Sequence, residues 1–123
     1  MTVIGMKVIY IAGKYRDSRG AWFIRQNIRA AEQAAQFVWQ QGGVALCPHL
    51  NTALFDGLPG CADEVWLRGD LELLRRCDAV FAIEHWRDSS GAVAEVEHAR
   101  ALNLPVLFTY NDVIQFLVSA HAA

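Results

Sequence analysis

The chain has 123 residues, 54% of them hydrophobic, and its 11 Lys and Arg against 13 Asp and Glu leave a net charge of −2. That length suffices for one domain, residues 1–123, whose core needs no disulfide or metal to hold it. The slightly acidic balance without a basic run argues against a nucleic-acid partner, and no stretch is long and apolar enough to span a membrane.

The first predicted element is a buried strand over residues 6–12, an apolar run rich in β-branched and aromatic residues that ends at Gly13. A polar loop over residues 14–20 leads into a helix over residues 22–41, where Phe23, Ile24, Ile28, Ala31, Ala34, Ala35, Val38 and Trp39 recur at helical spacing. Gly42 and Gly43 stop that helix, and residues 44–47 form a second strand. A long loop then begins at Pro48 and His49 and contains Gly57, Pro59 and Gly60, the kind of connection that carries function.

Asp63 is placed to cap a second helix reaching residue 76, with Asp70 in its middle. Residues 79–83 are the third strand, residues 91–102 the third helix, and residues 105–109 the fourth strand. Asn111 or Asp112 then caps a terminal helix through Val118. Strands alternating with helices imply an α/β fold: a three-layer sandwich with a parallel sheet of four to five strands and helices on both faces, flavodoxin-like or Rossmann-like.

In such a sheet the loops after strands one, two and three meet at the carboxyl edge. They bring Tyr10, Gly13, Arg16, Arg19, His49, Trp86, Asp88, Ser89, Gly91 and Glu95 to one crevice. Arginines, serines and a glycine before a helix suit a phosphate, while Tyr10, Trp86 and a carboxylate suit a sugar and a flat base. Each residue also has a plainer reading. Glu95 and Asp70 could be solvated helix charges, Trp86 and Tyr10 core residues, Arg16 and Arg19 a solvated loop, and His49 and His85 structural.

The three cysteines, Cys47, Cys61 and Cys77, form no Cys-x-x-Cys pair, which argues against a disulfide framework. Cys47 and Cys77 read as packed thiols. Glu95 and His98 have the spacing of half a carboxylate-bridged di-iron site, but the other half is missing, so neither a metal nor a cofactor is expected. Residues 1–7 lack the pattern of a signal peptide, and a cytoplasmic protein with a small-molecule ligand follows as the expectation.

The run Tyr10-Ile11-Ala12-Gly13, then Pro48-His49, then residues 69–80 around Gly69-Asp70, then Ser89-Ser90-Gly91-Ala92-Val93-Ala94-Glu95 resembles the nucleoside 2-deoxyribosyltransferase superfamily. Within it the chain is most similar to the short 2′-deoxynucleoside 5′-phosphate N-hydrolases. The resemblance implies that Glu95 is the nucleophile at C1′ of the sugar, that Asp70 protonates the leaving base, and that Tyr10 lies beside the nucleophile. It also implies a homodimer or larger homo-oligomer, with Asn111 as the residue that enters the neighbour's site. Ser89 stands where transferases acting on free nucleosides carry an aspartate, and Arg16 matches the phosphate-binding arginine of the hydrolases. A nucleotide substrate is therefore expected, although a one-residue shift would put Asp88 at that place and recover the transferase pattern.

The leading expectation is release of free base from deoxynucleoside 5′-monophosphates. Base exchange on free deoxynucleosides is the first alternative, a non-catalytic nucleotide-binding domain the second, and cleavage of NAD the third. Retention of both Asp70 and Glu95 speaks for an enzyme, because a pure binder gains little from two carboxylates beside an anionic ligand.

Overall fold

The computed structural model describes residues 5–122; the part of the leader reading that concerns residues 1–4 lies outside them. The chain runs β1 (Val8–Ala12), α1 (Ala21–Gln40), β2 (Val44–Leu46), α2 (Pro48–Asn51), α3 (Asp63–Arg75), β3 (Ala79–Ala82), α4 (Ser90–Ala101), β4 (Val106–Leu107) and α5 (Tyr110–Ala122). All four strands are parallel, in the order β2-β1-β3-β4. Alternation along the strands divides the core in two. Ile9, Ile11 and Phe81 face one side and pack with Ala31, Ala34 and Val38 of α1 and with Val113 and Leu117 of α5. Tyr10, Ala12 and Val80 face the other side, where Leu74 of α3 and Ala99 of α4 cover them. The result is the expected three-layer sandwich, with a sheet at the low end of the expected strand count.

From the central pair the connections run outward in opposite directions, β1 toward β2 and β3 toward β4. The loops after β1 and β3 therefore part and leave a crevice at the carboxyl edge, the usual ligand position of an open α/β sheet. At its base Gly13 has no room for a side chain, since a Cβ there would lie 2.6 Å from Ile83 Cγ1.

Three elements differ from expectation, each for a local reason. The connection read as a loop from Pro48 contains the single-turn α2, with Pro48 in its first turn, and a tight turn at Ala53–Phe55. Ala62, not Asp63, occupies the cap position of α3 and makes no side-chain cap; Asp63 is the first helical residue, beside the positive end of the helix dipole. Strand β4 is only two residues long because Asp112 accepts from the Phe108 and Thr109 amides at 3.0 and 3.2 Å, while the Asp112 amide donates to Thr109 Oγ1 at 3.0 Å. That exchange starts α5 at Tyr110 and draws the chain away from the sheet.

Candidate active site

The crevice is a cavity of about 560 Å³. Four segments wall it: the loop after β1 (Gly13, Tyr15, Arg16), residues 48–56, one face of α3 (Asp63, Trp66, Leu67, Asp70), and the turn into α4 (Asp88 to Ala92, and Glu95). Such a volume accommodates a nucleoside-sized molecule.

Glu95 sits one turn inside α4 and is 8% exposed, so the reading of it as a solvated helix charge does not hold. Its partner is Tyr10. Fully buried in β1, Tyr10 donates its hydroxyl to Glu95 Oε2 across 85 residues of sequence. Burial pushes the Glu95 carboxyl up from 4.5 to about 8; the Tyr10 hydrogen bond opposes the rise, and the charge of Asp70 adds to it. Asp70 is partly buried, and loss of solvation raises its carboxyl from 3.8 to about 6. The Tyr10 phenol is held far above its ordinary range by burial first and by the Glu95 charge second. Two carboxyl groups with ionisations displaced by different amounts thus line one cavity, the higher on Glu95.

Ser89 caps α4: its Oγ accepts from the Ala92 amide at 3.2 Å. The Ser90 and Gly91 amides, in the first turn beside the cavity, have no intrahelical acceptor and are oriented for an acceptor outside the helix. His49 is 8% exposed, and its Nε2 lies 3.0 Å from the Lys14 carbonyl. A carbonyl only accepts, so Nε2 carries the proton and donates. Burial lowers the His49 pKa, which leaves a neutral ring with Nδ1 an unpaired acceptor. The ring pins the loop after β1 against α2.

Arg16 lines the cavity but is already engaged. Its Nη1 and Nη2 donate to Asp56 Oδ2 and Oδ1 at 2.8 and 2.7 Å, and Nη2 and Nε donate to Asp63 at 2.8 and 3.3 Å. Arg19 lies outside the lining: it donates to Asp17 and rests on the Phe23 ring at 3.8 Å. Trp86 is buried among Ala82, Ala92 and Val96, the core reading of that residue. Asn111 is exposed at the start of α5 and is not among the lining residues. Cys47 and Cys77 are packed thiols, each raised to about 11 by burial. Among the described residues no group of three or more His, Cys, Asp or Glu is placed to hold a metal ion.

Sequence reasoning did not place Asp63, Trp66 and Leu67 in the site, although the signal was present. They precede Asp70 by seven, four and three positions and so share its helix face. Asp56 carried no such signal, since its contact with Arg16 spans 40 residues.

A family model described as Domain of unknown function (DUF7768) matches residues 7–109. The chain belongs to this family. No curated protein matches it. Among solved structures, a 2-deoxyribosyltransferase from the psychrotolerant bacterium Bacillus psychrosaccharolyticus superposes with a TM-score of 0.61 at 20% identity, over 82% of this chain and 70% of its own. A 2-desoxiribosyltransferase from Leishmania mexicana superposes with a TM-score of 0.55 at 23% identity, over 83% of this chain. This chain covers 63% of the Leishmania protein, under two thirds of its length. At these identities the likeness is one of fold, and this member of the family has the fold of the two transferases.

Proposed function

We propose that the protein cleaves the N-glycosidic bond of a nucleoside or nucleotide through a covalent glycosyl intermediate on Glu95. The observation that carries this reading is the placement of Glu95, held by Tyr10 at the buried end of a cavity that Asp70 also lines. A Glu95 carboxylate oxygen bonds to C1′ as the bond to the base nitrogen breaks, and Asp70 gives its proton to the departing base. Asp70 then takes a proton from the acceptor, whose attack on C1′ frees Glu95. The two transferases of like fold support this class of chemistry.

Water as the acceptor gives a hydrolase, the expectation set by the sequence; a second base gives a transferase. The 5′-monophosphate form of the hydrolase reading draws its support from Ser89 and the free amides of the first turn of α4. A free nucleoside is favoured by a different observation, the pairing of Arg16 with Asp56 and Asp63.

Chromatography of products tests both levels. The pure protein is incubated with each deoxynucleoside and each 5′-monophosphate, with and without a second free base. Free base, or a new nucleoside formed only when the second base is present, is the expected result. Absence of any product would overturn the assignment.

A further inference from the structure

The loop after β1 carries three cations, Lys14, Arg16 and Arg19, and each is already paired. Lys14 Nζ and Arg19 Nη2 lie 3.4 and 2.8 Å from Asp17, whose side chain is 3% exposed. Arg16 commits four of the five guanidinium N–H donors to Asp56 and Asp63. The fork that would grip a phosphate is therefore filled by a carboxylate in the same bidentate geometry. Asp17 and Asp56 are both held below the ordinary carboxylate range by these arginines, so they are ionised at neutral pH.

The rest of the lining has the same sign. Asp56, Asp63, Glu64, Asp70 and Asp88 all line the cavity, beside a Glu95 that burial keeps protonated, against Arg16 as the sole Lys or Arg among the lining residues. A phosphate monoester brings a charge of about −1.5 to −2 at neutral pH. It would meet these carboxylates before reaching an arginine that has already lost its free charge. A 5′-hydroxyl has no such difficulty, because it donates to a carboxylate as readily as to water.

We infer that Asp56 and Asp63 are specificity determinants: by holding the Arg16 guanidinium they set the cavity to accept a nucleoside with a free 5′-hydroxyl and to reject its 5′-phosphate. This rests on the reading of the cavity as a nucleoside site and decides between its two substrate forms. Selection comes from the carboxylates around the arginine; Arg16 by itself would favour the phosphate.

The test is binding, which separates selection from turnover. Glu95→Gln protein, which lacks the nucleophile, is titrated calorimetrically with 2′-deoxyuridine and with its 5′-monophosphate, alone and with Asp56→Asn and Asp63→Asn added. Both aspartates are solvent-exposed, so the added changes leave the core untouched. The expected result is preference for the nucleoside in the parent and a gain of about tenfold or more in monophosphate affinity, relative to nucleoside, in the triple variant. Arg16→Ala in the same parent should keep or deepen the preference for the nucleoside, since it leaves Asp56 and Asp63 without their cation. A parent that prefers the monophosphate, an unchanged preference in the triple variant, or no binding of either ligand would overturn the inference. Turnover by the wild-type protein is scored apart. Correct selection without turnover would sink the glycosyl-transfer reading and leave the selectivity standing.

Discussion

At the inner end of the cavity Glu95 is nine-tenths buried with Tyr10 as its side-chain partner, whereas at the outer wall the Arg16 side chain is 46% exposed and held by two carboxylates. The inner end is built on regular elements, β1 and α4, and its ionisations are displaced by loss of water. The outer wall is built on the connection from Pro48 to α3, with Leu54, Phe55 and Leu58 exposed on it, and its charges are satisfied by one another. Displaced ionisations make a group reactive; mutual pairing makes it selective and leaves its protons fixed. On the proposed reading, the two ends of the cavity divide chemistry from choice.

The sharpest way to break that division is at Glu95. Glu95→Gln should reduce turnover by about 10³-fold or more while circular dichroism and melting show an intact fold. A comparable fall in Asp56→Asn would mean that the outer wall takes part in the chemistry. Next comes Asp70→Asn, expected to slow turnover by about 10²-fold.

The pH profile sharpens the same point. The proposed mechanism needs Glu95 ionised and Asp70 protonated, yet the displaced values of about 8 and about 6 favour the opposite arrangement at neutral pH. The pair is active only when it holds one proton, so kcat/KM should trace a bell with limbs near 6 and 8. In Asp70→Asn the alkaline limb should vanish, because Glu95 alone still titrates and gains activity as pH rises. A bell that survives unchanged would remove Asp70 from the mechanism. Smallest in expected effect is Tyr10→Phe, with about a tenfold fall in kcat and an alkaline limb moved upward, since the lost hydrogen bond favoured the ionised Glu95.

The sheet and the placement of Glu95 at the inner end of the cavity were legible in the sequence because both depend on local patterns. The unbroken apolar run through Tyr10 marks a strand buried on both faces, and the strand, small-residue turn and helix carrying Glu95 lie within some seventeen consecutive residues, 79–95. The outer wall was not legible. Arg16 looked free because its partners lie 40 and 47 residues away on a segment whose path no periodicity fixes. Trp86 read as a base platform because an aromatic beside a loop carries the same signature whether it faces the ligand or the core. The fourth strand was expected over residues 105–109, and its shortness escaped notice because a side chain, Asp112, captured amides that the apolar pattern assigned to the sheet.

Burying Glu95 also has a thermodynamic consequence for the whole chain. Its carboxyl titrates near 8 in the folded protein and near 4.5 when exposed, so the folded state binds the proton more tightly than the unfolded chain does. The resulting contribution to folding is complete below about pH 4.5 and is lost as pH rises through about 8; Asp70 acts with the same sign between 3.8 and about 6. The melting temperature of Glu95→Gln should therefore exceed that of the wild type at pH 9 by several degrees and draw level with it near pH 5. A wild-type protein as stable as the variant at pH 9 would mean that the carboxylate is solvated in the fold. Resistance to alkali is what this fold gives up to keep an acidic group dry.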